Sequence, residues 1–308
     1  MRLQIEPVTY NMFNFLLHIL LLVPAATLAY ELCPTIPIAP GVNMPMVNLG
    51  HPDGPSRGGN STINETMALE LWLSAAVNGS GIDTAMDYMN QGQVGAAMRA
   101  SGRARRSLFL VTKIPNVLSR SEMVAYVKKD IEQLGGEIPD VVLIHSPCSS
   151  GFESHGCKYA TSEEIAQAWL GMEDALKAGL TRAIGVSNFA VSHLQPILDL
   201  GGMVPAVNQC EMYVGQYDKK TADFCKKNGI TYEAYSPLGR GSLNVQDPRI
   251  QKIAQAHSKS VYQVCLRWVT QLGSPMAVSS TSLNHDLSDL DIFGFELSAA
   301  EMATLSSF

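Results

Sequence analysis

The sequence predicts a (β/α)8 barrel, or TIM barrel, which forms a single α/β domain over residues 30–308. Past Pro40, eight short apolar or β-branched runs alternate with longer amphipathic stretches, at about 20 to 40 residues per unit. No Gly-x-Gly-x-x-Gly turn occurs, although a doubly wound dinucleotide-binding sheet would carry one after its first strand. The 308 residues, 46% of them hydrophobic, are enough for one large core.

Eight runs are predicted as the strands of the barrel. In chain order they are Met46–Gly50, Gly81–Ala85, Leu108–Lys113, Asp140–His145, Arg182–Val186, Ala206–Cys210, Thr231–Tyr235 and Met276–Ser280. Apolar residues recur with a helical period between several of these runs. These patterns predict helices over Ser121–Leu134, Ser162–Ala178, Thr221–Asn228 and Val261–Gln271.

The first 29 residues differ in composition from the rest of the chain. Phe13 to Val23 is strongly apolar, and the small residues after it end at Ala29, which is typical of a cleaved signal peptide. The apolar stretch is shorter than the roughly 20 residues that a membrane span requires, but an uncleaved signal anchor and a translation start at Met12 remain alternatives. We therefore expect a secretory location, without membrane attachment after cleavage, or a cytoplasmic one if this segment is not functional.

Cysteines and glycosylation sequons bear on the same expectation. The six cysteines form no C-x-x-C motif, so we predict neither a metal site nor a redox centre of that kind. Cys148 and Cys157 bracket a loop rich in serine and glycine, and they could pair in an oxidising compartment. Asn60, Asn64 and Asn78 each begin an N-x-S/T sequon, which suits a secreted glycoprotein, although such sequons also recur by chance.

The charge pattern excludes one class of partner. The formal net charge is −6, and no cluster of lysine and arginine is interleaved with aromatic residues. A nucleic-acid partner is therefore not expected, because binding to the phosphate backbone depends on such basic surfaces. We expect a monomer that acts on a small molecule.

Polar residues stand where the predicted strands end. Chemistry in these barrels takes place at the C-terminal ends of the strands, so these residues are the first candidates for a functional site. They are Asp83, Lys113, His145, Ser187–Asn188, Gln209, Tyr235–Ser236 and Ser279–Ser280.

Four residues of this region form a coherent chemical set. A tyrosine ordinarily keeps its proton until about pH 10, and a nearby ammonium such as that of Lys113 would make Tyr88 a better acid. Asp83 would keep a desolvated Lys113 charged, and His145 could donate a hydrogen bond to a substrate oxygen. Each residue alone could instead be structural, as a buried ion pair, a strand cap or a rim aromatic. Together they predict an acid that protonates an oxygen on which negative charge develops.

The chain after residue 40 resembles the aldo-keto reductase family. The matching segments are Gly81–Asn90 with Val94–Gly95, Leu110–Lys113, Leu143–Pro147, Ala183–Phe189, Val207–Gln209 with Glu211, and Ala234–Gly239. The resemblance implies reduction of a small aldehyde or ketone by hydride from a nicotinamide cofactor. It also implies that Tyr88 is the general acid, that Lys113 and Asp83 tune it, and that His145 orients the carbonyl.

The same resemblance implies a set of cofactor-binding residues. Ser187, Asn188 and Gln209 would hold the carboxamide, and Tyr235 would stack on the nicotinamide ring, since a flat aromatic fixes which face of the ring is offered. Ser236 and Leu238 would line the path of the pyrophosphate.

The end of the eighth strand departs from the family pattern. The family typically has Ile-Pro-Lys-Ser there and an arginine a few residues later, two cations that hold the 2′-phosphate of NADPH. This chain has Ala-Val-Ser-Ser over residues 277–280, so Ser279 stands in place of the lysine and is followed by Ser280. His285 lies where the arginine would fall, and Asp286 and Asp289 are nearby. Hydroxyls and a helix N-terminus could partly replace the cations. NADPH is therefore the expected cofactor, with NADH or dual use open.

Two other functions remain as alternatives at this point. One is a cofactor-binding barrel that senses redox state with little turnover, because a fold alone does not fix a function. The presence of all four residues of the catalytic set favours an enzyme instead. The other is a hydrolytic barrel with paired carboxylates, which Glu211 and Glu233 support poorly because no matching acid is evident at another strand end.

Overall fold

The computed structural model describes residues 33–50, 65–75, 81–152 and 155–308. The predicted leader over residues 1–29 and the sequons at Asn60, Asn64 and Asn78 lie outside these ranges, so they stay predictions. The described residues belong to one compact unit, residues 32–308.

Thirteen strands are formed by the described residues. In chain order they are β1 (Thr35–Ala39), β2 (Val42–Pro45), β3 (Val47–Leu49), β4 (Gly81–Asp83), β5 (Phe109–Ile114), β6 (Val141–Ile144), β7 (Cys148–Phe152), β8 (His155–Tyr159), β9 (Ala183–Ser187), β10 (Val207–Tyr213), β11 (Gln216–Tyr217), β12 (Thr231–Tyr235) and β13 (Met276–Val278).

Eight of these strands close into a parallel barrel, as predicted. The order around it is β3, β4, β5, β6, β9, β10, β12 and β13, and β13 pairs with β3 to complete the ring. Each of the eight predicted runs overlaps one barrel strand. The largest difference is at β10, which continues to Tyr213 because it also pairs in antiparallel fashion with the short β11.

The helices of the described residues lie in the intervals between the strands, except for the last two, which follow β13. They are α1 (Glu65–Ala75), α2 (Gln91–Ala100), α3 (Arg120–Gln133), α4 (Ser162–Lys177), α5 (Val191–Leu198), α6 (Lys219–Lys227), α7 (Pro248–His257), α8 (Val261–Gln271), α9 (Leu283–Leu290) and α10 (Ala299–Leu305). The four predicted helices correspond to α3, α4, α6 and α8. Three of these begin at capping boxes, in which a serine or threonine and the residue three positions later satisfy each other's backbone N–H groups.

The N-terminal end of the barrel is closed by the β1–β2 hairpin, which the sequence analysis did not predict. Ile38, Val42 and Met44 of this hairpin pack into a cluster with apolar side chains from the barrel strands. The strand members of this cluster are Phe109, Val111, Val141, Leu143, Ala183, Ala206 and Val207. The floor of the barrel is therefore apolar and filled.

Strand periodicity brings polar side chains to the opposite end of the barrel. Side chains alternate across a strand, so Val111 and Lys113 point to the same side, as do Leu143 and His145. Val111 and Leu143 belong to the apolar floor, whereas Leu110 and Ile114 pack in the larger cluster between the barrel and the helices. Residues that continue the inward rows past the floor therefore meet at the C-terminal ends of the strands.

A second hairpin, β7–β8, follows β6 directly at this end. Its strands are joined by a disulfide between Cys148 and Cys157, whose Cα atoms are 5.5 Å apart, a pairing that the sequence left open. A glycine is needed at Gly151, because its φ is +71° and a Cβ there would lie 2.2 Å from the carbonyl oxygen of Gly156. The hairpin also bonds back to the barrel, since the backbone N–H of Val117 donates to the carbonyl of Cys148 at 2.9 Å.

Candidate active site

An ion pair between Lys113 and Asp83 is buried at the C-terminal end of the barrel. The side chain of Lys113 is fully buried, and its ammonium donates to the carboxylate of Asp83 and, at 3.1 Å, to the carbonyl oxygen of Thr84. Burial lowers the pKa of Lys113, but the charge of Asp83 and its hydrogen bond to the ammonium act against burial, and the pKa is raised overall. The ammonium is therefore held in its charged form.

Gln209 and Glu233 extend this pair into a network. The Nε2 group of Gln209 donates to Asp83 Oδ2 at 2.7 Å and to Glu233 Oε2 at 2.8 Å. Burial, and next the charge of Asp83, raise the pKa of the fully buried Glu233 to about 8. Gln209, predicted to hold the carboxamide, thus lies between two carboxyl groups. From the sequence, Glu233 was considered only as a possible hydrolytic acid. Its inward-facing position on β12 could have indicated that it belongs to this network.

Tyr88 lies above the ion pair, at the end of a short 3₁₀ turn, Met86–Tyr88, that follows β4. The ammonium of Lys113 is 5.1 Å from the centroid of the Tyr88 ring. Its charge lowers the pKa of the phenol, as predicted, but burial is the larger effect and the pKa of Tyr88 is raised overall. The phenol therefore keeps its proton near neutral pH. The turn is fixed by a hydrogen bond of 2.6 Å from the hydroxyl of Thr84 to Asn90 Oδ1.

The imidazole of His145 contacts the edge of this tyrosine. The two ring centroids are 5.5 Å apart and the planes are nearly perpendicular. Nδ1 of His145 lies 3.1 Å from Oδ2 of Asp87, and the ring of Phe152, from the β7–β8 hairpin, lies 4.9 Å away on another side. Burial is the largest influence and lowers the pKa of His145. The charge of Lys113 lowers it as well, whereas Asp87 and Asp83 raise it, and the pKa is lowered overall. Neither Asp87 nor Phe152 was predicted from the sequence to be part of this site.

Ser187, Asn188 and Tyr235 are joined by hydrogen bonds beside the histidine. Asn188, in the left-handed conformation at φ +63°, donates from Nδ2 to the carbonyl oxygen of His145 at 2.9 Å. Its Oδ1 accepts from the hydroxyl of Tyr235 at 3.0 Å. The hydroxyl of Ser187 donates to the backbone carbonyl of Gln209 at 2.8 Å. Three of the predicted cofactor residues thus lie together next to His145.

A cation that the sequence analysis did not select lies next to Tyr235 and Ser236. The guanidinium carbon of Arg240 is 5.4 Å from the centroid of the Tyr235 ring, and its Nε donates to the hydroxyl of Ser236 at 2.5 Å. Leu238 is half-buried against the core two residues earlier. Arg240 directly follows the motif Ala234–Gly239 at the end of β12, and this position in the sequence could have indicated it as a candidate.

Ser279, Ser280 and His285 form a separate group at the end of β13. Ser279 and His285 are exposed, while Ser280 is buried and its hydroxyl donates to the carbonyl oxygen of Ser282 at 3.1 Å. Within the described residues, no hydrogen bond joins this group to Asp83 or Lys113. Two buried carboxyls, Asp286 and Asp289, lie on α9 nearby, and burial raises the pKa of both.

The closed barrel, with a tyrosine, a buried lysine–aspartate pair and a histidine at its strand ends, places this protein among the barrel oxidoreductases. The model of the Aldo/keto reductase family matches residues 56–308. The chain therefore belongs to the aldo-keto reductase family, as the motifs predicted. Members of this family are NAD(P)H-dependent oxidoreductases that act on small carbonyl compounds.

Individual relatives resemble most of the chain. The glyoxal reductase of Bacillus subtilis (strain 168) is 35% identical over 270 residues, which cover 87% of this chain and 90% of the relative. The 2,5-diketo-D-gluconic acid reductase B of Corynebacterium sp. is 35% identical over 226 residues, which cover 73% and 78%. The crystal structure of a Bombyx mori aldo-keto reductase in complex with NADP matches with a TM-score of 0.80 and 28% identity, covering 90% of this chain and 93% of that one.

These relatives correct one prediction, the secretory location, which is wrong. The two curated relatives described above, from Bacillus subtilis and Corynebacterium sp., are bacterial reductases, and their similarity gives no support to an enzyme of the secretory pathway. In the part of the chain that the structure describes, no helix has the length and apolar character needed to cross a membrane.

Proposed function

We propose that this protein reduces small aldehydes or ketones to alcohols with hydride from NADPH or NADH, and that Tyr88 is the general acid. The observation that carries the proposal is the buried Lys113–Asp83 pair beneath the Tyr88 ring, with His145 against the edge of that ring. A buried ion pair is costly to maintain, so its place below a protonated phenol favours a role in proton transfer.

The side chains of the site suit a proton delivered to a substrate oxygen. The phenol of Tyr88 holds the proton, and the positive charge of Lys113 stabilises the phenolate that forms when the proton leaves. Asp83 keeps Lys113 charged, and Gln209 fixes the orientation of the Asp83 carboxylate. His145 lies close enough to the phenol to contact the same substrate oxygen.

The cofactor residues fit a dinucleotide on the same side of the barrel. The ring of Tyr235, tethered to Asn188, offers a flat surface next to His145, and Arg240 offers a cation for a phosphate next to Ser236. Ser279, Ser280 and His285 would lie toward the adenosine end. The nicotinamide, when bound, supplies the hydride that reduces the carbonyl carbon.

The names of two relatives suggest the class of substrate. One is a glyoxal reductase and the other a 2,5-diketo-D-gluconic acid reductase, so both act on compounds with two carbonyl groups. We propose small dicarbonyl compounds as the first substrates to test, because they carry polar oxygens that the hydrogen-bonding groups around His145 can contact.

The test is NADPH and NADH oxidation by the purified full chain with glyoxal and with an aromatic aldehyde. Tyr88→Phe should reduce kcat/KM by about 10²- to 10⁴-fold while the protein stays folded. Tyr262→Phe is the matched control, since Tyr262 is a half-exposed tyrosine on α8, and this variant should match the parent. Equal activity of Tyr88→Phe and the parent would exclude Tyr88 as the acid.

The same experiment separates the enzyme from a redox-sensing barrel. A sensor would bind the cofactor, detected by quenching of tryptophan fluorescence, but would not turn it over with any of the carbonyl compounds. Binding without turnover in the parent would therefore replace the proposed function with the sensing one.

A further inference from the structure

Asp87 has no role in the function proposed above. Its carboxylate nevertheless contacts the imidazole of His145, the group proposed to contact the substrate oxygen. Asp87 Oδ2 lies 3.1 Å from His145 Nδ1, and the side chains are 24% and 11% exposed. Asp87 precedes Tyr88 in the 3₁₀ turn, so one turn presents both a carboxylate and a phenol to the same ring. The backbone of His145 is fixed as well, because its N–H donates to the carbonyl of Ile114 at 2.8 Å.

The hydrogen bond to Asp87 restricts where His145 can carry a proton. An ionised carboxylate accepts hydrogen bonds and cannot donate them, so the proton between the two groups must belong to Nδ1. A neutral imidazole carries only one N–H, and its Nε2 is then an acceptor. A carbonyl oxygen also only accepts. Neutral His145 paired with Asp87 therefore cannot donate to a carbonyl through Nε2.

We propose that Asp87 is a positioning residue that holds the proton of His145 on Nδ1, so that His145 donates to a substrate carbonyl only as the doubly protonated imidazolium. This inference rests on the proposed function, in which Tyr88 transfers the one proton that the reduction takes up, and the imidazolium of His145 donates a hydrogen bond to the same oxygen. Reduction of the carbonyl then requires both groups in their protonated forms.

The charged groups around His145 determine the pH range of this effect. Asp83 and Asp87 favour the imidazolium, Lys113 opposes it, and Tyr88 is a neutral phenol. Burial is the largest influence and lowers the pKa of His145 below its ordinary value of 6.5. Because the protonated form is required, kcat/KM for reduction falls as the pH rises through this lowered pKa. Tyr88 does not titrate in that range, since its pKa is raised above 10.

The first measurement is the pH profile of carbonyl reduction in the parent, Asp87→Ala and Asp87→Asn. In the parent, kcat/KM should fall by about tenfold per pH unit above the pKa of His145 until a residual rate is reached. Without the carboxylate, the neutral ring can place its proton on Nε2, and the asparagine amide can donate to Nδ1. Both variants should therefore lose most of this fall.

The control is Asp223→Asn, which removes a surface carboxylate on α6 that pairs with Lys219. It lies outside the site, so its pH profile should follow the parent. An unchanged profile in both Asp87 variants would overturn the proposal. Asp87→Asn has nearly the shape of the parent side chain, so it keeps the test valid if the alanine variant folds poorly.

The second measurement is nitrogen NMR of the full chain with labelled histidine, which does not depend on turnover. His145→Gln identifies the His145 signals among the seven histidines. The parent should show a proton on Nδ1 in the neutral ring, and Asp87→Ala should move it to Nε2. A neutral parent ring with the proton on Nε2 would contradict the inference. If the parent reduces no carbonyl but shows the Asp87-dependent Nδ1 proton, the proposed function fails while the positioning of His145 stands.

Discussion

The floor and the upper end of the barrel interior are built on the same strands, yet they are stabilised in opposite ways. On β5, Val111 belongs to the apolar floor and Lys113, two residues later, to the polar network. After Leu143 on β6, the next inward position is His145. Val111, Leu143 and Lys113 are all fully buried. Burying the first two is favourable in itself, at roughly 25 cal/mol per Å², whereas the buried ammonium depends on Asp83.

This contrast shows what a strand does and does not determine. The period of two decides which side chains point inward, but whether an inward polar group is tolerated depends on partners from other strands. In the floor, too, a side chain depends on its neighbouring strand, here on the missing side chain of a glycine. A Cβ at Gly185 would lie 2.7 Å from Cδ2 of Leu143 and 2.5 Å from the carbonyl oxygen of Val207, so glycine makes room for the leucine.

The largest effect is expected when the upper end loses its cation. Lys113→Met leaves the carboxylate of Asp83 buried without its partner, so the free energy of unfolding should fall by about 3–5 kcal/mol and carbonyl reduction should be lost. Denaturant unfolding and kcat/KM measure the two effects. Lys219→Met removes one side of the exposed Lys219–Asp223 pair and should cost less than about 1 kcal/mol.

A double variant separates the buried charge from lost packing. Adding Asp83→Asn to Lys113→Met removes the unpaired carboxylate, so part of the stability should return while the activity stays lost. If the double variant is as unstable as Lys113→Met alone, the unpaired charge of Asp83 is not the reason for the loss of stability, and the upper end does not depend on its ion pair.

A substitution in the floor should have the opposite profile. Leu143→Ala removes a fully buried side chain from the apolar cluster, which should lower the free energy of unfolding by about 2–5 kcal/mol. At temperatures where the variant is folded, kcat/KM should fall far less than in Lys113→Met, because Leu143 pairs in register with Lys113 but supplies no charge or hydrogen-bonding side chain to the network. Leu272→Ala, at an exposed position after α8, should change the stability by less than about 0.5 kcal/mol.

Both layers of the barrel could be predicted in outline from the sequence. The β-branched runs located all eight barrel strands, because each strand is buried on both faces and carries an apolar run ended by a polar residue. Strand ends then brought Asp83, Lys113 and His145 to one place. Tyr88 belonged to this set through the chemistry that an adjacent ammonium allows.

The contacts that were missed depend on tertiary structure. The β1–β2 hairpin precedes the alternating strands and helices, so the repeat of strand and helix patterns in the sequence does not predict it. The β7–β8 hairpin is rich in serine and glycine and has the composition of a loop, and its Phe152 gave no sign of a partner. In the sequence, Asp87 has the pattern of a residue in a polar turn. Its contact with His145 is not evident there, because His145 is 58 positions away in the chain.

Asp289 offers a weaker version of the same contrast, a buried carboxyl on α9 with no cation hydrogen-bonded to it among the described residues. Burial, and next the charge of Asp286, raise the pKa of Asp289 from 3.8 to about 7. A carboxyl whose pKa is raised on folding destabilises the protein increasingly as the pH rises from about 4 through about 7. Asp289→Asn should therefore add on the order of 2 kcal/mol to the free energy of unfolding at about pH 8, and little at about pH 4.

Thermal or denaturant unfolding across this pH range checks the prediction. Asp223→Asn, which removes a carboxylate from the surface of α6, should not reproduce the rise. A gain for Asp289→Asn that is the same at both ends of the range would mean that packing, and not ionisation, explains the difference.

The smallest effect concerns the binding of the cofactor at the end of β13. The resemblance to the family implies that Ser279 and His285 stand where cations hold the 2′-phosphate, and both are exposed, with acidic residues on the helix that follows. Ser279→Lys supplies one charge-assisted hydrogen bond to a 2′-phosphate, a group that NADPH has and NADH lacks. We expect the affinity for NADPH relative to NADH to rise by about tenfold, or about 1.4 kcal/mol.

Fluorescence titration of the two cofactors measures this ratio without a substrate. The matched control, Ser121→Lys, adds the same charge at an exposed position on α3 and should leave the ratio unchanged, which excludes a general electrostatic effect. High salt should reduce the gain of Ser279→Lys, because an exposed charge pair is screened. If Ser279→Lys strengthens the binding of both cofactors equally, the end of β13 does not contact the 2′-phosphate, and cofactor selection must arise elsewhere along the strand ends.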